Sequence, residues 1–277
     1  MNYYQTLRDI KDSRYFRLLM SPYGLWHFKK ERDSYSKSEY PELIKKFRGI
    51  HEGGRCFIIG NGPSLSSDDL DKIKGEFSFA ANKIFNIYPK TMWRPTYYVC
   101  MDSMSIVEEI GDEIDKVSAD YLFINWQQRM NVKKNDKVVF CNANPRYVVN
   151  LWDDKKVTFS DDCSECIDNA RTVTYTSIQL AAYMGFKTIY LLGVDASYPY
   201  YRDGKGRKHS TEATRSHFEN GGYKRIDYLV KETNDTGYRL ARDYCERNGI
   251  RIYNATRGGK LEIFERIDFD KIDLTRG

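Results

Sequence analysis

The segment Arg55-Cys-Phe-Ile-Ile-Gly-Asn-Gly-Pro-Ser-Leu65 constrains the fold more than any other part of the chain. An apolar run, Cys56 to Ile59, ends abruptly in Gly60-Asn61-Gly62-Pro63-Ser64. A helix signal follows, with Ser66 or Ser67 as N-cap and Asp68, Asp69 and Asp71 in the first turn. Strand, glycine-rich turn and helix make the layout in which backbone N–H groups and a helix N-terminus face a phosphate. Gly60 and Gly62 permit positive φ and close backbone approach, Pro63 stiffens the turn, and Asn61 and Ser64 supply neutral donors. The spacing is neither G-x-G-x-x-G nor a P-loop, because no lysine follows the glycines. A plain strand-to-helix turn is the bland alternative.

From Cys56 onward, strand and helix signals alternate. Apolar runs predict strands at Cys56–Ile59, Phe77–Ala81, Thr96–Met101, Tyr121–Ile124, Lys137–Cys141, Thr188–Leu192 and Ile250–Tyr253. Helices are expected at Ser67–Lys74, Ser103–Gly111, Tyr175–Met184 and Thr236–Asn248. Such alternation predicts an α/β, Rossmann-like domain: a mostly parallel sheet with helices on both faces. That domain would span 55–277. Residues 1–54 would form a basic, aromatic-rich helical appendage, with Gly49 to Gly54 as the hinge.

In a sheet of this kind ligands sit beyond the carboxyl ends of the strands. Four strand ends deliver polar residues there. Gly60–Ser64 follows the first strand, Asn82 the second, Asp102-Ser103 the third, and Gly193-Val-Asp195 the run Thr188–Leu192. Asn and Ser can read a base or ribose edge, whereas Asp can accept from a sugar hydroxyl or hold Mg²⁺. Taken singly, each Asp also suits a helix or turn cap.

A second polar cluster follows Asp195: Ser197-Tyr-Pro-Tyr-Tyr201, then a basic stretch through His209. With little apolar periodicity up to Gly222, the segment reads as a long loop, a lid over about 196–235. Tyrosine hydroxyls and basic groups there can neutralise a leaving phosphate without a metal. His217 is placed where a general base could swing over a donor site, although a lone loop histidine is as readily surface decoration.

Composition narrows the partners. Mean hydropathy of −0.66 fits a soluble globular protein. No apolar run approaches the ~20 residues of a membrane span, and no signal peptide opens the chain. Six scattered cysteines suit a reducing, cytoplasmic setting, and Cys163-x-x-Cys166 lacks the second pair that a zinc site needs. The net charge of +5 lies in residues 1–55, with twelve Lys/Arg against seven Asp/Glu. Nucleic acid is not an expected partner, since neither a larger basic excess nor a recognisable module is present. The basic, aromatic first 50 residues could instead touch the inner face of a membrane peripherally, or pack on the main domain.

Ile58-Ile-Gly-Asn-Gly-Pro-Ser-Leu65, the Asn82 strand end, Trp93-Arg-Pro-Thr-Tyr-Tyr-Val-Cys-Met-Asp102 and Ala181 through Asp195 together resemble the MptE-like family. That family includes archaeal 6-hydroxymethylpterin diphosphokinases and proteins near the flagellin-glycosylating motility accessory factors. The pattern is also similar to bacterial sialyltransferases of glycosyltransferase family 42. The resemblance covers roughly residues 55–256. It implies that Gly60, Asn61, Gly62, Pro63, Ser64 and Asn82 hold a nucleotide, with Asp102, Ser103, Gly193 and Asp195 at the same edge. Thr174 and Ser177 would add donor contacts, and Tyr198, Tyr200 and Tyr201 would hold the leaving phosphate. Two departures stand out. The second sialyltransferase asparagine is Asp102 here, and Lys231 and Glu232 occupy the region of the expected catalytic histidine. His217 is the nearest substitute, with Asp102 as the other candidate base.

Three readings follow. The first is a glycosyltransferase moving a sugar from a nucleotide donor, CMP-linked by resemblance, to a glycan or lipid-linked acceptor, with no metal or cofactor required. In the second, Asp102 and Asp195 would serve Mg²⁺-ATP in diphosphoryl transfer to a pterin-like alcohol. The third is a nucleotide-binding protein without turnover.

Overall fold

A computed structural model describes residue 26 and residues 29–101, 111–144, 157–170, 172–196, 200–202, 208–210 and 231–275. The seven expected strands are all present, each within one residue of the predicted limits. They are β1 (Arg55–Ile59), β2 (Ser78–Ala81), β3 (Tyr97–Cys100), β4 (Tyr121–Asn125), β5 (Val138–Cys141), β6 (Thr188–Leu192) and β9 (Arg251–Asn254). A short β10 (Glu265–Arg266) completes an eight-stranded sheet in the order β10-β9-β6-β1-β2-β3-β4-β5. Every neighbouring pair is parallel. Buried on both faces, β1 to β5 carry almost no polar side chain, as a covered parallel sheet requires.

The chain steps outward from β1 to β5, then returns to lay β6 on the other side of β1. The return runs through the helix Val173–Tyr183. With α1 (Tyr40–Lys45) and α2 (Ser67–Lys72) before it, this is α3, and α4 (Lys231–Arg247) follows. α3 packs on β1, β2 and β3 and against α4, so it is buried nearly all round. Its amide side chain, Gln179, is fully satisfied: Nε2 donates to the carbonyls of Asp168 and Tyr175, and Oε1 accepts from the N–H groups of Ser160 and Asp168.

Two expectations shift. α4 begins at Lys231 rather than Thr236: the cap-like Asn234-Asp235-Thr236 lies inside a helix whose next turn is fixed by buried Gly237 and Tyr238. Within the expected lid, β7 (Tyr200–Arg202) and β8 (Lys208–Ser210) pair antiparallel, Tyr201 opposite His209, so part of that segment is a ribbon. Residues 197–199, 203–207 and 211–230 of it, and residues 103–110 of the expected helix Ser103–Gly111, lie outside the described residues.

The described part of 1–54 shares the main core. Tyr35, Tyr40, Ile44 and Phe47 are buried, and Tyr40 meets Phe140 of β5 edge-on at 5.2 Å. The stretch read as a hinge is tied to the α3–β6 turn: the N–H groups of Gly49, His51 and Gly53 donate to the carbonyls of Tyr183, Met184 and Gly185. His51 stacks on Phe186 (4.5 Å), meets Phe77 (4.0 Å), and shares a 2.6 Å hydrogen bond with the Tyr97 hydroxyl.

Burial holds the His51 imidazole below its ordinary value of 6.5. As pH falls the unfolded chain therefore takes the proton first, and the stability His51 contributes is lost as pH drops through 6.5 toward the lower folded value. Thermal unfolding at about pH 7.5 and about pH 5 should show a smaller fall in Tm for His51→Phe than for the natural chain. Equal slopes would mean that His51 titrates normally in the fold.

Candidate functional site

Reversal of strand order between β1 and β6 makes this the topological switch point, the place beside which sheets of this kind bind their ligands. The turn after β1 and the turn after β6 meet there in direct backbone contact. Gly60 N–H donates to the Leu192 carbonyl and Gly62 N–H to the Gly193 carbonyl, each at 2.8 Å. A Cβ at Gly60 would overlap the Gly193 carbonyl, and one at Gly62 would overlap that carbonyl and Asp195 Oδ2. Gly193 itself adopts φ +69°, with the Gly60 carbonyl 2.7 Å from where its Cβ would stand. The close approach these glycines allow is thus to each other's backbone.

Side chains complete the junction. The Ser64 hydroxyl donates to Asp195 Oδ2 at 2.7 Å, and the Ser64 N–H adds a longer bond of 3.4 Å. Asp195 is buried; burial pushes its carboxyl above the ordinary carboxylate value, against the opposing pull of the Ser64 hydrogen bonds. The segment after β9 closes the other side. Val194 N–H donates to Thr256 Oγ1 (3.0 Å), and Lys260 N–H donates to the Asp195 carbonyl (2.7 Å). Arg257 reaches α2, where Nε and Nη2 contact Asp69 Oδ2 and Oδ1 at 2.8 and 2.9 Å. α2 has six residues, and its N-terminus is already capped by Ser66, which accepts from the Asp69 N–H.

Next to this junction, Asn61 Nδ2 donates to the Ala81 carbonyl at the end of β2 (3.0 Å). Among the described residues its buried Oδ1 has no partner, and neither has the buried Oδ1 of Asn82, the following residue of that strand end. Asn82 holds φ +54°, and Ala196 and Ala170 hold +48° and +38°. These non-glycine residues in the left-handed region all lie at the carboxyl edge: two follow β2 and β6, and Ala170 precedes α3, which runs against the strands. Such backbone is sparsely populated and gathers at functional sites.

Of the expected site residues, Gly60, Asn61, Gly62, Pro63, Ser64, Asn82, Gly193 and Asp195 come together. Thr174 and Ser177 open α3 but are 7% and 2% exposed; the Ser177 hydroxyl donates to the Val173 carbonyl, and buried Tyr238 hydrogen-bonds Thr172 just before the helix at 3.3 Å. Tyr200 and Tyr201 lie on the β7–β8 ribbon. Asp102, Ser103, Tyr198 and His217 lie outside the described residues. Among the described residues, no three His, Cys, Asp or Glu side chains are grouped as metal ligands. Sequence reasoning missed Asn125, which ends β4 and donates from Nδ2 to the Met101 carbonyl (3.0 Å), and the Thr256–Lys260 bracket. Both were findable by the rule already applied, a polar or glycine cluster just past a strand.

Fold and junction define a Rossmann-like α/β protein whose polar strand ends gather at the β1/β6 switch point. Residues 27–200 match the family described as 6-hydroxymethylpterin diphosphokinase MptE-like, and the chain belongs to the MptE-like family. Among curated proteins, none matches the sequence. Of solved structures, the MAf glycosyltransferase from Magnetospirillum magneticum AMB-1 shares the fold at a TM-score of 0.51 and 17% identity, over 86% of this chain and 39% of that one. This chain therefore spans about two fifths of the length of that protein. The sialyltransferase CstII from Campylobacter jejuni, in complex with cytidine-5'-monophosphate, aligns at a TM-score of 0.43 and 13% identity, over 78% and 85% of the two chains.

The turn-to-turn contact leaves no room for a side chain at Gly62. Gly62→Ala should cost about 2–3 kcal/mol, since neither the Gly193 carbonyl nor the buried Asp195 can retreat freely. Urea unfolding measures this, and a variant as stable as the natural chain would show that the two turns separate readily.

Proposed function

We propose that this chain is a glycosyltransferase that takes a sugar from a nucleotide donor, CMP-linked, and passes it to a glycan or lipid-linked acceptor. One observation carries the reading: at the switch point the buried Oδ1 atoms of Asn61 and Asn82 have no partner among the described residues. A buried amide oxygen without a donor is costly, and a ligand that brings donors relieves it. A phosphate group at neutral pH brings none, whereas ribose hydroxyls and the exocyclic amine of cytosine bring several. These two atoms therefore suit the nucleoside end of a donor. The glycosyltransferase fold of the Magnetospirillum protein agrees with this reading.

In the proposed reaction the acceptor hydroxyl oxygen attacks the anomeric carbon as its bond to the donor phosphate oxygen breaks, releasing the nucleoside monophosphate. His217 or Asp102 takes the acceptor proton, and hydroxyls of Tyr198, Tyr200 and Tyr201 donate to the departing phosphate. Asn61, Asn82 and the Gly60–Ser64 turn orient the nucleotide. Asp195, held by Ser64, keeps that turn in place. Among the described residues no helix is long and apolar enough to cross a membrane.

The family description favours a second reading, Mg²⁺-dependent transfer of diphosphate from ATP to a pterin-like alcohol. There Asp102 would serve the metal, together with whatever capacity the Ser64 hydrogen bonds leave on Asp195.

Calorimetric titration with CMP and with ATP, each with Mg²⁺ and with EDTA, separates the readings. CMP should bind in EDTA. Asn82→Gly keeps the left-handed backbone and removes Oδ1, so it should weaken CMP about tenfold. ATP binding that requires Mg²⁺ and Asp102, with none of CMP, would replace the first reading by the second. Nucleotide binding untouched by Asp102→Ala, without turnover of any donor, would leave a binding protein.

A further inference from the structure

A surface on the same carboxyl edge, outside the β1/β6 junction, has no part in the chemistry above. The connection that follows β4 carries Met130, 85% exposed. Beside it, Arg129 stacks over the Trp126 ring at 4.3 Å and pairs with Glu31 of helical residues 29–36 at 2.7 Å. That ion pair is largely sheltered and seats these helical residues on the connection. Trp26, five residues before Glu31, is 58% exposed, and Lys30 lies over its ring at 5.4 Å. A tryptophan and a methionine are thus both presented to water on this side of the molecule.

The charge around them is one-sided. Glu31 is matched by Arg129, and Glu39 by Lys134 at 2.5 Å. Within residues 29–39 and 126–134 this leaves Lys29, Lys30, Arg32, Lys37 and Lys133 against Asp33 alone. All five cations are exposed, and none forms an ion pair among the described residues.

We propose that this surface docks the protein on a bilayer rich in acidic phospholipid, with Trp26 and Met130 entering the interface and Lys29, Lys30 and Lys133 meeting the headgroups. Tryptophan settles at the headgroup level, and clustered Lys/Arg are attracted to anionic lipid. A nucleic acid would satisfy the cations but gain nothing from an exposed methionine. In the sheet order β4 is three strands from β1, about 14 Å at the usual strand spacing. Docking would bring the β1/β6 junction to the membrane at that lateral offset, which suits the lipid-linked acceptor of the proposed function; only this consequence rests on that reading.

The test is co-sedimentation of the full chain with phosphatidylcholine vesicles, with and without phosphatidylglycerol, at low and high salt. Binding should require phosphatidylglycerol and weaken as salt rises. Lys30→Glu combined with Lys133→Glu should reduce it about tenfold, and so should Met130→Asp, with Tm and CMP affinity unchanged. Equal binding to pure phosphatidylcholine would overturn the proposal. So would failure of the natural chain to bind, or retention by both variants. Displacement of the vesicles by a DNA oligonucleotide would assign the surface to nucleic acid instead. Vesicle binding needs no turnover, so it stands or falls apart from the transferase reading.

Discussion

The contact between the turns after β1 and β6 is the constraint on which the rest of the site depends. Two parallel strands that neighbour each other at a switch point would ordinarily send their loops apart. Here Gly60 and Gly62 bring one turn against the Gly193 carbonyl, and Ser64 bonds to the buried Asp195 across the gap. Once that junction forms, Asn61 is fixed over the end of β2, and its amide oxygen and that of Asn82 are left buried without donors among the described residues. The placing of these polar groups is therefore a consequence of backbone packing before it is a matter of side-chain chemistry.

Asp195 illustrates how a residue's type and its task can diverge. A carboxylate at a strand end can hold Mg²⁺ or accept from a sugar hydroxyl. In the fold it is buried, it accepts from Ser64, and its carbonyl receives the Lys260 N–H. Its burial cost is offset by organising three turns at once, those after β1, β6 and β9. Arg257 extends the same framework to α2 through its bidentate pair with the nearly buried Asp69. The segment after β9 thus belongs to the site's scaffold, although nothing in it resembles a nucleotide-binding motif.

Much of this was legible from residues alone. Cys56–Ile59 and Thr188–Leu192 read as strands because a strand covered on both faces must be apolar along its whole length. The polar residues that end those runs read as one edge, because parallel strands share an orientation. The start of α4 was misplaced for the converse reason. Asn234-Asp235-Thr236 has the chemistry of a cap, but the packing of Gly237 and Tyr238 against α3 and its approach carries the helix through it. The seating of Tyr35 and Tyr40 on the β5 side was likewise out of reach, since it pairs residues about a hundred positions apart in the chain.

The sequence by itself determined the element types, their parallel orientation, the edge on which the polar strand-end residues gather and the membership of the family. Those are local matters: hydrophobic period, turn chemistry and capping act within a few residues. Tertiary structure alone decided which strands are neighbours, and hence that the Gly60–Ser64 and Gly193–Asp195 turns touch. It also decided that Asp195 is spent on Ser64 while two asparagine oxygens remain without donors among the described residues. The physical reason is that strand order and burial arise from contacts between distant segments, and no local signal states which distant segment will supply a hydrogen bond or withhold it.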